Sequence, residues 1–215
     1  PREFDLPTEF NEDHIEDIVE IFNTPLVGHY NWDYTDADSR IKKLYELGKE
    51  LNWTGSIDLD WSKAIKKGEP PMKAELLARM EGPLAALPEE ERLEYMWHDQ
   101  AWGLSQFLHG EQGALLVASQ LVSCAPTYQA KLYAASQTFD EARHVEVFAR
   151  YLREVSGVEY PINKNLKSLI DKILSDPRWD LKFIGMQIII EGLALAAFQT
   201  TKETSNCALL RQLVH

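Results

Sequence analysis

Proline leaves three long stretches of this chain uninterrupted, which limits the folds open to it more than any other feature. LPEEERLEYMWHDQAWGLSQFLHGEQGALLVASQLVSCAP (87–126) sets Pro88 ahead of three glutamates, a favoured helix start, and runs to the Ala125–Pro126 break. PTYQAKLYAASQTFDEARHVEVFARYLREVSG (126–157) opens on Pro126 and closes on Gly157. A loop with Pro161 and a short helix over 163–174 follow, then a third long segment, DPRWDLKFIGMQIIIEGLALAAFQTTKETSN (176–206). Apolar residues recur at helical spacing in all three, predicting core helices over 90–124, 127–155 and 178–204. No strand-like alternation and no repeat of fixed period interrupts them. The expected fold class is all-α, an antiparallel helical bundle over 87–215. Residues 1–86 are expected to add helices and loops packed on that bundle, making one structural domain overall.

Within the first 86 residues, NEDHIEDIVEIFN (11–23) reads as a capped amphipathic helix and PLVGHYNWDY (25–34) as an aromatic loop. A further helix caps at Thr35 or Asp36 and runs to about Leu51. Gly and Pro mark 54–71 as an irregular connection, and MKAELLARM (72–80) as a short helix.

The bulk properties set limits on partners and compartment. The 215 residues are 45% hydrophobic, enough for a sizeable core. Thirty-four acids against 22 Lys plus Arg give a formal charge of −12, which argues against nucleic acid or an anionic membrane as partner. Cys124 and Cys207 form no CxxC, as expected of free thiols in a reducing cytoplasm. The longest oily stretch, IGMQIIIEGLALAAF (184–198), is cut by Gln187 and Glu191 and is short for a membrane span, so a soluble cytoplasmic protein is expected. Pro1 stands where an initiator Met would, and LLRQLVH leaves an amphipathic pattern open, so we expect a portion of a longer polypeptide.

Each long helix carries a carboxylate in an apolar setting. Glu111 shares a stripe with Leu104, Leu108, Leu115 and Ala118. Glu141 and His144, three apart, share a face with Val145, Phe148 and Leu152. Glu191 sits among Ile184, Ile188, Leu195 and Phe198. The intervals between the three glutamates fit a helix, a turn and a return to the same height. Three carboxylates converging in a low-dielectric core repel one another unless cations intervene. A pair of metal ions or a buried network with arginines would serve, and Arg143 is the one arginine close in sequence.

A Glu on one helix, DEARH (140–144) on the next and a Glu on a third resemble the ferritin-like di-iron carboxylate superfamily, which includes ribonucleotide reductase small subunits, acyl-carrier desaturases and multicomponent monooxygenases. The resemblance covers about 90–215. It implies a ferritin-like antiparallel four-helix bundle, with Glu111, Glu141, His144 and Glu191 as metal ligands. It implies that Asp140 holds the ligand histidine by its other ring nitrogen and that Arg143 ties helices together behind the ligands. It also implies two iron ions (or Fe/Mn), O2 as co-substrate, a small organic substrate, an external electron donor and a homodimer. The second Glu-x-x-His of that family is absent. It would fall at about 221–226, so the fourth helix is expected beyond His215. Phe148 stands seven places after Glu141, where the reductases keep a radical tyrosine, which turns the reading away from a reductase. Tyr151 lies almost one turn further and is expected to pack with its hydroxyl at the bundle edge.

The expectation from these residues is an O2-activating oxidoreductase that hydroxylates, desaturates or N-oxygenates an organic, apolar substrate. The alternatives are a ferritin- or rubrerythrin-like iron oxidase or store, and a non-catalytic helical scaffold. His14, His29 and His98 are read as surface or capping residues, and His109 as turned away from Glu111. Trp97 and Trp102 are read as core and interface aromatics. Gly110, Gly113 and Gly192, beside the ligand candidates, are read as allowing close helix approach or substrate room.

Overall fold

The computed structural model describes residues 21–24, 26–35 and 39–215. Among them every extended element is helical, and Met72 and Ser205 pair in an isolated bridge. The elements, in chain order, are α1 (Ser39–Glu50), α2 (Ala74–Leu77), α3 (Glu89–Cys124), α4 (Tyr128–Tyr151), α5 (Lys164–Ser175), α6 (Trp179–Phe183), α7 (Glu191–Thr204) and α8 (Ala208–Leu213). Two wide π-helical stretches join this series: Leu152–Ser156 extends α4, and Ile184–Ile190 links α6 to α7. The three long helices of the sequence reading are therefore present. Most of the helix expected over 11–23 lies outside the described residues, as does His14, and residues 21–23 are not helical. The helix predicted from Thr35 or Asp36 is present from Ser39 onward, and its start falls on 36–38, outside the described residues.

Local chemistry fixes the turns. Pro88 precedes a first turn of Glu89, Glu90 and Glu91, which complements the positive end of the α3 dipole. Thr127 caps α4 by accepting from the Ala130 N–H, and Asn163 caps α5 by accepting from Asn165 and Leu166. Gly157 takes a left-handed φ of 71° to end the α4 extension, a conformation that costs a residue with a Cβ. At the other end of α5, the fully buried Lys182 donates to the Ile173 and Leu174 carbonyls at 2.8 and 2.6 Å. That contact places a cation on the negative end of a helix and satisfies its last acceptors.

α3 and α4 pack along their length, with α1 on the far side of α4, while α5 and α6 lie against α3. Close approach of α3 to α5 depends on Gly113, where a Cβ would come within 2.8 Å of Ile170. Two apolar clusters fill the interior. One gathers Leu104, Leu108, Phe148, Tyr151, Leu152, Leu209 and Leu210. The other gathers Ala114, Val117, Leu121, Ile170, Ile173 and Met186. Glu111 sits on α3 between Leu108 of the first and Ala114 of the second, so the acidic residues form a polar layer between two oily ones. The segment before α3 is pinned to the end of α7 by Lys73 N–H to Thr204 O (3.0 Å) and Asn206 N–H to Pro71 O (2.8 Å).

One sequence expectation is corrected here. Ile184, Ile188 and Leu195 were placed on a buried stripe with Glu191, but they are 42, 56 and 64% exposed. Leu193 and Leu195, in the regular turns after Glu191, are as exposed as the isoleucines of the π stretch before it, so among the described residues nothing covers this side of the helix. The helix also runs unbroken from Trp179 to Thr204, 26 residues, long and apolar enough to cross a membrane by length and composition.

Candidate metal centre

Three ligand-type side chains converge in the polar layer. His144 Nδ1 lies 3.2 Å from Glu111 Oε2 and 3.3 Å from Glu141 Oε2, and donor atoms of all three lie within 4.8 Å of one another. Glu111 comes from the middle of α3, and Glu141 and His144 from one face of α4. Both glutamates are buried, while His144 keeps 35% of its side-chain surface. Two carboxylates and one imidazole are an oxygen-and-nitrogen donor set that suits iron, manganese or zinc.

The electrostatics show how the cluster holds its charge. Burial pushes the Glu141 carboxyl up to about 7; the hydrogen bond from His144 opposes that rise, and the neighbouring Glu111 adds to it. Burial disfavours the charged form of His144, but hydrogen bonds and attraction to Glu111 and Glu141 outweigh it and raise the imidazole to about 10. The raised Glu141 carboxyl and the protonated His144 imidazole thus limit the negative charge of the cluster.

Glu191 stands outside this tight group. It is half-buried at the start of α7 and borders the same cavity as Glu111. Its carboxyl is pushed up by burial first and then by the charge of Glu141, with His144 pulling the other way. The four candidate ligands therefore face one region, three in mutual contact range and the fourth across a cavity.

Asp140 has a different partner from the one expected. It pairs with Arg143, three residues on, whereas His144 turns to the bundle interior one position later. Arg143 does tie elements together: it donates to Asn52 Oδ1 and, at 2.8 Å, to the Trp53 carbonyl, in the segment after α1. Trp53 links the two, stacking on His144 (ring centroids 6.1 Å) while the Arg143 guanidinium lies 5.0 Å from its ring centre.

Sequence reasoning overlooked Trp53, and it overlooked Tyr133 and Gln137 as well. Burial and then the charges of Glu191 and Glu141 raise the Tyr133 hydroxyl. Gln137 donates to Gln187 Oε1 in the π stretch, tying α4 to the helix that carries Glu191. The spacing 133, 137, 141 is one helical face, a signal that was readable. Trp53 carried no such signal, because its placement depends on a loop.

Other expectations resolve case by case. His109 bonds the Tyr160 carbonyl at 2.8 Å, away from Glu111. His98 is half-buried and bonds the Tyr160 hydroxyl at 2.6 Å, so it is no surface residue. Trp97 is buried and donates to Glu69 O at 2.9 Å. Tyr151 is fully buried beside Cys207, with a hydroxyl that lacks a hydrogen-bond partner, which corrects the expectation of an edge position. A Cβ at Gly110 or Gly192 would meet open space, whereas Gly113 serves helix packing.

The cavity beside Glu111 and Glu191 measures about 250 Å³ and is lined mostly by apolar side chains, among them Phe107, Leu166, Met186, Ile190 and Phe198. Phe107, Phe148 and Phe198 form an aromatic cluster at its edge, with centroids 4.9 to 5.9 Å apart. Compared with protein-family models, with curated proteins and with solved structures, the chain matches none.

Proposed function

We propose that this chain is an O2-activating metalloenzyme that uses two irons, or an iron/manganese pair, to hydroxylate, desaturate or N-oxygenate an organic, largely apolar substrate. The observation that carries this reading is the buried meeting of Glu111, Glu141 and His144 beside an apolar cavity. On the same reading, α3, α4 and the 179–204 helix are three long helices of a ferritin-like bundle, in a cytoplasmic protein that pairs with a second copy. Glu111, Glu141 and His144 would hold the metal, and Glu191, which borders the same cavity as Glu111, would add a further carboxylate. When bound, the metals supply the binding and reduction of O2, with electrons from an external donor.

The chain's own residues contribute the rest. The charge of three glutamates offsets that of the metals, and the layers of Leu and Phe above and below keep water out. Trp53 and Arg143 hold the imidazole and its helix in place. Two divalent ions in a dry core need more protein ligands than these four. The exposed isoleucine face beside Glu191 is where a further helix, from this polypeptide or a partner, would bring them.

The scaffold alternative pairs the buried acids with cations, and arginines were the expected ones, although a protonated His144 would also serve. Among the described residues the one buried arginine, Arg143, pairs with Asp140 and with the segment after α1, leaving the Glu111–Glu141–His144 group without a guanidinium. The test is metal analysis of the purified protein followed by O2 uptake with ferrous iron. Iron or manganese together with O2 uptake that rises with an organic substrate supports the oxygenase. Uptake indifferent to any organic substrate favours an iron oxidase or store, and absence of metal favours the scaffold.

A further inference from the structure

A second cavity, of about 260 Å³, lies further along α3, lined by Met72, Met96, Gln100, Gly103 and Thr204 among others. Phe107 borders both this cavity and the one beside Glu111. Among the α3 residues that line the two, Gln100, Gly103, Phe107, Gly110 and Ala114 are spaced three or four apart and form one stripe down the helix, with Asp99, Gln106 and Glu111 beside it. At Gly103 and Gly110 a side chain would enter open space, so these glycines leave room without serving any close backbone approach.

The outer cavity carries unused acceptors beside the hydroxyls of Tyr95 and Ser205. The Gln100 Oε1 atom is buried and has no hydrogen-bond partner. The hydroxyl protons of Thr201 and Thr204 are already donated to the Ala197 and Thr200 carbonyls, which leaves acceptor lone pairs. Asp99 adds a carboxylate at the rim. An unpaired buried acceptor is costly, and a ligand that brings a donor removes that cost.

We propose that the two cavities form one binding tract, partitioned by the Phe107 ring, for an elongated aliphatic molecule with a hydrogen-bond-donating head, an amine or alcohol. The head lies at Gln100 and Asp99, and the chain runs past Gly103, Phe107 and Gly110 to Glu111. That orientation rests on the metal reading of Glu111 given above, since it sets the far end of the chain beside the metal ligands. From Gln100 to Glu111 the helix rises about 16 Å at about 1.5 Å per residue. An extended chain advances about 1.2 Å per bond, so the tract fits about 13 bonds. A twelve-carbon primary amine is the matching probe.

The test is calorimetric titration of the purified full chain with n-alkylamines of six to sixteen carbons, below their micelle-forming concentrations, with metal content measured in parallel. Affinity should rise about fourfold per methylene up to about twelve carbons and then level off. Dodecylamine and dodecanol should bind at least about tenfold tighter than dodecanoate, which the unpaired acceptors and Asp99 disfavour. Gly110→Leu should weaken dodecylamine at least about tenfold and leave octylamine unchanged, because it fills only the far end. Gly103→Leu should weaken both; each variant removes a helix-interior glycine, so folding is preserved. A length dependence unmoved by both variants, or dodecanoate binding as tightly as the amine, overturns the proposal. Binding is read without turnover, so its failure leaves the metal test standing, and a failed metal test leaves this readout intact.

Discussion

At the scale of single residues, Glu141 and His144 determine how the core responds to pH. The folded Glu141 carboxyl titrates near 7, against a free value of 4.5, so between those pH values the folded state binds more protons than the unfolded one. His144, raised to about 10, has the same sign: its contribution is complete below about 6.5 and is lost as pH rises through 10. Metal-free protein should therefore melt at progressively lower temperature from pH 5 to pH 9. Glu141→Gln should remove much of the slope between pH 5 and 7 and stabilise the metal-free protein at pH 8 by about 1–3 kcal/mol. Thermal melts followed by circular dichroism check both. Metal binding has the opposite sign, because it requires a neutral imidazole, so affinity for Fe(II) or Mn(II) should rise over the same range. Arg143 supports the same site from behind. Arg143→Met leaves the Trp53 carbonyl and Asp140 without their donor, and should cost about 1–3 kcal/mol of stability and about tenfold or more in metal affinity.

At the scale of elements, the segment after α1 is held against α4 by a fit with no slack. A Cβ on Gly55 would collide with Val147, and the Gly55 carbonyl accepts the Trp61 indole N–H at 2.7 Å. Gly55→Ala should cost about 1–3 kcal/mol through overpacking and disturb the neighbouring Trp53, visible as a lower melting temperature and altered tryptophan fluorescence. This element also shows where the sequence was legible. The long helices, their proline starts and the pairing of Glu111 with Glu141 and His144 follow from 3.6-residue periodicity, because α3 and α4 are regular throughout. Periodicity put Ile184, Ile188 and Leu195 on an apolar stripe but carries no information on what covers it, and these residues stay exposed both within the π stretch at Ile184–Ile190 and beyond it. Trp53 could not be assigned either, since a loop residue reaches the site through its Arg143 contact rather than through any period. Asp140 was misplaced because helical spacing allows both Arg143 and His144 as neighbours, and the guanidinium is the stronger partner.

At the scale of the whole molecule, Ile184, Ile188, Ile189, Leu193 and Leu195 leave an apolar face uncovered next to Glu191. A face of this kind marks an association surface. The chain should therefore self-associate in sedimentation velocity runs as concentration rises, and Ile188→Lys with Leu195→Lys should shift it to monomer while leaving its helical content unchanged. A wild type that stays monomeric at high concentration, without lipid or detergent, would sink that expectation. The most direct measurement of the metal centre is an anaerobic titration of metal-free protein with Fe(II), followed by calorimetry, beside His144→Ala. Saturable binding by the wild type, weakened about 100-fold or more in the variant, is the expected result. A wild type that takes up neither Fe(II) nor Mn(II), or a variant that binds as tightly, would contradict the assignment of Glu111, Glu141 and His144 as a metal centre.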